Sequence, residues 1–303
     1  MSAPPIRQAI VLTAGLGTRL RPLTSVRAKP AIPVAGEPMI RRIVRWLASH
    51  GLTEVVLNLH HLPETLTSRI GDGQDLGVRA RYSWEPRILG SAGGPFQAMA
   101  LLPRRHEPFF IINGDTLTDV DLASVAAAHA SSGARVTLAL VPNREFQRYG
   151  GVAVDAHGRV TGFPRRGPAA EGSSHFIGVQ IADASAFAAL RAGEAANSIG
   201  GVYDQLIAAQ PGSVRGVVSD AAFWDVGTTQ DYWRTSRAFA GREAMADLGT
   251  GRRVHVDPSA RLTRSIVWDD VQVGAAAVIE DCILTDGVRI AAGETRRGEI
   301  VIA

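Results

Sequence analysis

Apolar residues along this chain recur in two alternating rhythms up to about residue 240, and in a third rhythm beyond it. Ala9–Thr13 is a short apolar run of the kind that forms a strand covered on both faces. Met39, Ile40, Ile43, Val44 and Leu47 follow helical spacing, with Pro38 suited to a first turn and Gly51 to a stop. The pattern predicts strands over Glu54–Leu59, Val78–Trp84, Phe109–Ile112 and Arg135–Val141, interleaved with helices over Pro63–Ile70, Ala92–Leu102 and Leu122–Ala130. Strand–helix alternation of this sort predicts a doubly wound α/β sheet that receives ligands at its strands' carboxyl ends.

After Tyr149 the texture shifts to short strands, over Val152–Val154, Val160–Phe163 and Phe176–Ile181, which suggests an α+β lobe over the sheet edge. Helical stretches near Ala184–Leu190 and Val202–Ala209 follow, then Phe223–Thr228 and a last helix to about Ala240. Residues 241–253 read as a linker. In the tail, residues 254–303, apolar positions fall six apart: Val254, Ala260 and Ile266; Val267, Val273 and Ile279; Val278, Leu284 and Ile290. A six-residue period with small residues between predicts two to three coils of a β-solenoid.

At 303 residues the chain has room for one large domain or two smaller ones. Apolar residues make up 46% and charged residues 20%, the balance of a soluble globular protein and not of a disordered one. A net charge of +3 with scattered arginines argues against nucleic acid as a partner. Cys282 is the only cysteine, which excludes an internal disulfide and a cysteine metal cluster. Met1 to Gln8 shows no charged-then-apolar signal pattern, and the run after it is too short for a bilayer, so a cytoplasmic protein without a membrane partner is expected.

Lys29 is the only lysine among 32 basic residues. An ammonium is a compact point charge and a guanidinium a planar fork, so the two are not interchangeable where a phosphate is met end-on. Lys29 follows the Gly-rich stretch Gly15-Leu16-Gly17-Thr18-Arg19-Leu20-Arg21-Pro22-Leu23-Thr24, and a strand leading into such a turn offers backbone N–H groups to an anion. A Walker A loop is excluded, because no Gly-Lys-Ser/Thr follows the first glycine at the required distance. A dinucleotide fingerprint fails at Leu20, where a third glycine is needed. Asp115 and Asp225 each follow a short apolar strand, so their carboxylates should emerge at the ligand-binding end. Two carboxylates with phosphate oxygens suit Mg²⁺.

The whole stretch Leu12 to Pro30 resembles the signature of sugar-1-phosphate nucleotidylyltransferases, which join a nucleoside triphosphate to a sugar 1-phosphate and release pyrophosphate. Glu85-Pro86-Arg87-Ile88-Leu89-Gly90-Ser91-Ala92-Gly93-Gly94 is similar to that family's base-recognition segment, and Asn113-Gly114-Asp115 to its first metal aspartate. Tyr149-Gly150 resembles its sugar-lobe entry, and Trp224-Asp225-Val226-Gly227-Thr228 its second metal aspartate. The likeness runs in order from residue 9 to about 240, nearest to the mannose-1-phosphate guanylyltransferase and N-acetylmuramate-1-phosphate uridylyltransferase branches. It implies a Rossmann-like mixed nucleotidyltransferase sheet over residues 1–240, a sugar lobe within 143–225 and a short left-handed β-helix-like tail.

The resemblance also implies roles. Arg19 and Lys29 are the expected catalytic cations, neutralising charge on the α- and β-phosphates as the sugar phosphate attacks in line. Nucleotide contacts are expected from Leu12, Ala14, Gly15, Gly17, Thr18, Glu85 and Gly90, and sugar-phosphate contacts from Gly150, Arg165, Arg166 and Gly178. Asp115 and Asp225 are the expected ligands of Mg²⁺. A carboxylate at Glu85 suits N1–H and the exocyclic amine of guanine, and equally N3–H of uracil. The tail tilts the expectation toward GTP with mannose 1-phosphate or a related hexose or heptose 1-phosphate, since the uridylyl enzymes it resembles are compact. Uridylyl transfer to an acidic or N-acetylated sugar 1-phosphate is the alternative.

Two departures from the family pattern stand out. Ala28 replaces the usual proline before the lysine, which loosens the loop's preset geometry. Arg165 and Arg166 stand where many relatives carry Glu-Lys, and an arginine cannot accept a hydroxyl proton from a sugar. A non-catalytic paralogue that binds nucleotide sugar is a competing class, opposed by the joint presence of Arg19, Lys29, Asp115 and Asp225. A solenoid acyltransferase fusion is opposed by a tail with a single histidine, His255. That tail is expected to serve as an oligomerisation or lid element.

Overall fold

The computed structural model describes residues 5–303, so the part of the N-terminal reading that falls on Met1–Pro4 lies outside the described residues. The chain forms two compact units. The first takes the chain up to Gly15, Ile43–His60 and Ile70–Phe223, and the second takes Leu16–Arg42, His61–Arg69 and Trp224–Ala303.

The first unit is built on β1 (Gln8–Leu12), β2 (Glu54–Leu59), β3 (Arg79–Trp84), β4 (Phe109–Asn113), β5 (Val136–Pro142), β6 (Ser174–Ala182) and β7 (Val214–Val218). Across the sheet the order is β7-β5-β6-β4-β1-β2-β3. β1 pairs parallel with β2 and β4, β2 with β3, and β5 with β7, while β6 runs antiparallel between β4 and β5. β1 reads as an unbroken apolar run because it is central: Ala9, Ile10 and Val11 are fully buried. The chain leaves β1 toward β2 on one side and β4 on the other, and a crevice at that reversal, outside the carboxyl ends, is where such sheets take ligands. Ile10, Val56, Phe109, Ile111, Leu138, Leu140 and Tyr203 share one core. Each such side chain contributes about 1.5–3 kcal/mol by leaving water.

The helices are α1 (Met39–Ser49), α2 (Pro63–Ile70), α3 (Gly90–Ala98), α4 (Leu122–Ser132), α5 (Tyr203–Ala209) and α6 (Thr229–Arg242). Asp121 caps α4 by accepting from the N–H groups of Ala123 and Ser124 at 3.0 and 3.2 Å. The helix expected over Ala184–Leu190 is only a 3₁₀ turn, Ala184–Phe187. The side chain of its N-cap residue, Asp183, caps no N–H of the turn and instead faces His129 Nε2 at 3.4 Å.

In the second unit the tail is a parallel β-solenoid with three strands on each side. His255–Val256, Gln272–Val273 and Arg289–Ile290 stack on one side, and Ile266–Val267, Ile283–Leu284 and Ile300–Val301 on another. Partners in successive coils are 17 residues apart, as His255, Gln272 and Arg289 are. A strict hexad would need 18 for three sides. The six-residue step holds from Val267 to Val273 to Ile279, then drops to five at Leu284. The slip puts Ile279 inside, fully buried, and leaves Val278 half-buried, correcting the expected series Val278, Leu284, Ile290.

Corners repeat with the same period. Arg253, Asp270 and Gly287 share left-handed backbone, at φ 54, 61 and 73°. Arg253 Nε meets Asp270 Oδ1 across neighbouring coils at 2.5 Å. Residues 241–253 are not a detached linker. Gly249 packs on the backbone of Ala35 and Gly36 so closely that a Cβ there would lie 2.1 Å from Gly36 N.

Candidate functional site

In the first unit a buried polar relay ties together the carboxyl ends of β1, β2 and β3. Thr13 N donates to Asn58 Oδ1 at 2.7 Å, and Thr13 Oγ1 donates to the Asn58 carbonyl. Asn58 Nδ2 donates to Glu85 Oε1 at 2.6 Å, and Leu89 N donates to Glu85 Oε2 at 2.8 Å. Thr13, Asn58 and Glu85 are 1, 3 and 0% exposed, so these bonds meet no competition from water. Gly94 leaves room for the relay, since a Cβ there would sit 2.5 Å from Glu85 Oε1. Glu85 was expected to offer its carboxylate to the base. With both oxygens bonded and no accessible surface, it shapes the Leu89–Gly90 turn at the start of α3 instead. Gly90 itself sits at φ +79°, with Ala196 O 2.6 Å from the place a Cβ would take, so only glycine fits.

Leu12 lies opposite Asn113 in the sheet, and Gly114 N donates to Leu12 O at 2.9 Å. Asp115 follows, half-buried, in the turn after β4. Gly178, in β6, lies against Asn113, whose side chain a Cβ there would meet at 2.8 Å. Ala14 is buried and Gly15 exposed immediately after β1. The first unit thus gathers Leu12, Ala14, Gly15, Gly90 and Asp115 beyond the carboxyl ends of its parallel strands, with Gly178 of antiparallel β6 opposite Asn113.

Gly150 adjoins the Phe163–Pro168 loop, with Pro164 O 3.4 Å from its Cβ position and the N–H of Gly151 donating to that carbonyl at 2.8 Å. Arg165 and Arg166 lie exposed on this loop. The rings of Tyr149, His175 and Phe223 pack at tilted angles, with centroids 4.2 Å apart for Tyr149–His175 and 4.9 Å for His175–Phe223. Burial holds the His175 imidazole below its ordinary value, and a bond to the Gly150 backbone acts the other way. His60 Nδ1–H donates to the Glu85 carbonyl at 2.8 Å and its ring stacks on Trp84, a strand-end role.

The second unit carries Arg19 and Lys29. Gly17, at φ +61°, precedes a 3₁₀ turn at Thr18–Leu20. A Cβ on Gly17 would lie 2.8 Å from Thr24 Cγ2 and 3.2 Å from Lys29 Cβ, so the Gly-rich turn packs directly against the lysine. Thr24 Oγ1 donates to Gly17 O at 3.0 Å, and His61 Nε2–H donates to Thr24 O at 2.7 Å. Lys29 opens a further 3₁₀ turn, Lys29–Ala31, and is 8% exposed. Ala28 has φ −53° and ψ 143°, within reach of proline, yet its N–H donates to Thr65 Oγ1 of α2 at 3.0 Å. A proline could not make that bond. The missing ring is offset by a tie to α2.

Thr18 and Arg19 are exposed. Arg19 converges with two carboxylates on Gly227: a Cβ there would lie 3.0 Å from Asp225 Oδ2, 3.4 Å from Asp231 Oδ2 and 3.5 Å from Arg19 Nη1. Asp231 is anchored at the start of α6, where Thr228 Oγ1 donates to its Oδ2 at 2.8 Å. Among the described residues, no three His, Cys, Asp or Glu side chains are grouped to hold a metal. A cation here would need substrate oxygens in its shell. That donor chemistry fits Mg²⁺, which takes one or two carboxylates together with phosphates.

A model of the nucleotidyl transferase family matches residues 8–241, and one of GlmU-like C-terminal hexapeptides matches residues 249–296. The chain belongs to the sugar-1-phosphate nucleotidyltransferase family. It is 30% identical to a mannose-1-phosphate guanylyltransferase of Mycobacterium tuberculosis over 94% of this chain and 81% of that one. It is 29% identical to a UTP–glucose-1-phosphate uridylyltransferase of Synechocystis over 93% of this chain and 76% of that one. The solved structure of HddC from Yersinia pseudotuberculosis superposes with a TM-score of 0.66 at 20% identity, covering 77% of this chain and all of that one, which bears on the fold alone. No helix among the described residues is long and apolar enough to cross a membrane.

This nucleotidyltransferase holds structural residues that its sequence did not single out. Asn58 had a faint signal, as a polar residue near the end of the apolar strand Glu54–Leu59. Arg27 had none, being one arginine among many. It is 1% exposed, with Nε donating to Asp286 Oδ2 at 2.6 Å and Nη2 2.9 Å from Asp269 Oδ2.

Proposed function

We propose that this nucleotidyltransferase moves a nucleoside monophosphate from GTP to mannose 1-phosphate or a related hexose or heptose 1-phosphate. The sugar phosphate oxygen forms a bond to the α-phosphorus, the bond to the β-phosphate oxygen breaks, and pyrophosphate leaves with the electron pair. The attacking group is already an anion at neutral pH, so no protein base or nucleophile is required. The observation that carries this reading is the packing of Lys29 against the Gly17 turn, which holds a nearly buried lysine beside backbone suited to phosphate. Lys29 and Arg19 offset the charge that builds on the phosphates during in-line attack. Mg²⁺ is the proposed cofactor on Asp115 and Asp225, where it would neutralise phosphate oxygens.

The choice of base rests on likeness. Glu85 is spent on Asn58 and Leu89 and so does not favour guanine over uracil. The tail does not discriminate either, because a uridylyltransferase aligns over 93% of the chain. GTP is named first because the guanylyltransferase matches over more of its own length, 81% against 76%. UTP is the second reading. Pyrophosphate release from four NTPs with a panel of sugar 1-phosphates, with Mg²⁺ and with chelator, is the test. Faster turnover of UTP overturns the base assignment. Silence across the panel in folded protein with Mg²⁺ present favours a regulatory paralogue that only binds nucleotide sugar.

A further inference from the structure

Arg27 stands two residues before Lys29, and its guanidinium is bonded along both edges. Nε donates to Asp286 Oδ2 at 2.6 Å, Nη2 bonds Asp286 Oδ1 and lies 2.9 Å from Asp269 Oδ2, and Nη1 donates to Ala31 O at 3.3 Å. One side chain therefore grips the chain on both flanks of Lys29 and ties it to two coils of the solenoid. Asp286 Oδ1 also accepts from Asp269 N at 3.1 Å, joining those coils to each other. Trp268, fully buried, covers the guanidinium at 5.0 Å from its ring centroid. Its Nε1–H donates to Tyr232 Oη at 3.0 Å, which donates in turn to Pro33 O at 2.6 Å. Arg69 Nη1 meets Asp269 Oδ2 at 2.9 Å, so two arginines and two aspartates balance. Burial first, and then the Arg27 charge, hold Arg69 below its ordinary value, against the pull of Asp269 and Asp286. A balanced buried cluster tolerates the loss of one member poorly.

We propose that the solenoid is a working part of the phosphate site: Asp269 and Asp286 are positioning residues that hold the Lys29 turn in place through Arg27. The proposal rests on the reading of Lys29 as the phosphate contact. It differs from an oligomerisation role, because the clamp lies within one chain, and from simple scaffolding, because it acts on the turn that presents the ammonium.

The single lysine makes the test direct. Protein grown with ¹⁵N-lysine reports one side-chain-bearing backbone amide, at Lys29, and an amine-reactive ester followed by peptide mass spectrometry reports access to its Nζ. Asp286→Asn keeps the shape and removes the charge. It is expected to shift the Lys29 amide resonance, raise the labelling rate several-fold and lower kcat ~10-fold with KM for the sugar 1-phosphate within about twofold, as misplacement of a catalytic group does. Asp270→Asn, at the exposed corner with Arg253, is the control and is expected to leave all four unchanged. An unmoved resonance and labelling rate in Asp286→Asn overturns the proposal, as does an equal response in Asp270→Asn. Should Asp286→Asn fail to fold, Trp268→Phe keeps an aromatic ring at Arg27 while losing the bond to Tyr232 and part of the buried ring. The same changes, smaller, support the clamp, and none overturns it. A wild-type chain silent in the substrate screen sinks the reaction reading, while the resonance and the labelling still decide the clamp.

Discussion

The two units position their parts of the chemistry by different physical means. At the carboxyl ends of β1, β2 and β3, the relay Thr13–Asn58–Glu85–Leu89 runs on hydrogen bonds, and neither bonded partner of Glu85 is an Arg or Lys. Around Lys29 the restraint is ionic, with Arg27 and Arg69 set between Asp269 and Asp286 under the Trp268 ring. Hydrogen bonds are directional and short, so they fix the shape of a turn such as Leu89–Gly90. A charge cluster restrains over a longer range and joins segments far apart in sequence, as Arg27 and Asp286 are. The Leu89–Gly90 turn therefore depends on directional bonds, and the Lys29 turn on balanced charge.

The largest expected effect is on turnover. Lys29→Ala is expected to lower kcat by ~10²–10³-fold, about 3–4 kcal/mol of transition-state stabilisation. Lys29→Arg should also be impaired, because a fork replaces a point charge. Steady-state pyrophosphate release checks both, and activity of Lys29→Ala within threefold of wild type would remove the lysine from the chemistry. Next comes Arg27→Met, which leaves Asp269 and Asp286 without their shared cation. It should destabilise the protein by ~3 kcal/mol in denaturant melts, the low end for a broken buried pair because Asp286 keeps some contact with water. A loss under about 1 kcal/mol would mean that the cluster is no stronger than a surface pair.

Asn58→Ala strands Glu85 Oε1 and the Thr13 N–H, and should cost ~1–3 kcal/mol. Its mark on catalysis should be a raised KM for the nucleotide with kcat little changed, the reverse of the Asp286→Asn pattern. If both variants lower kcat alike, the division between shape and charge fails. The smallest effect concerns pH. His175 is held below its ordinary value of 6.5 chiefly by burial. The unfolded chain then binds the proton more readily, so this contribution to stability is complete above about pH 6.5 and is lost as pH falls through the folded value. His175→Phe should flatten the acid side of a Tm-against-pH curve, and an unchanged slope would assign it to other groups.

Much of this was legible in the residues. Glu54–Leu59 and Pro63–Ile70 form as their periodicity predicts, because strand and helix spacing are local properties that burial only reinforces. The solenoid was legible as a six-residue beat, but not its 17-residue coil, since only closure of three sides shows where one side runs a residue short. Lys29 stood out by rarity. Glu85 was identified as important, but its partners were not legible: a carboxylate in sequence looks open to any donor, and only packing revealed that Asn58 and Leu89 bond it.

By itself the sequence determined the strand–helix rhythm, the Gly-turn–lysine pairing and the order of motifs, because each depends on residues close together in the chain. Tertiary structure alone decided which arginine of many would be buried, that a proline's absence at Ala28 would be met by Thr65, and that the tail would grip the Lys29 turn. Those outcomes turn on desolvation and charge balance between residues such as Arg27 and Asp286, 259 positions apart, and no local pattern encodes them.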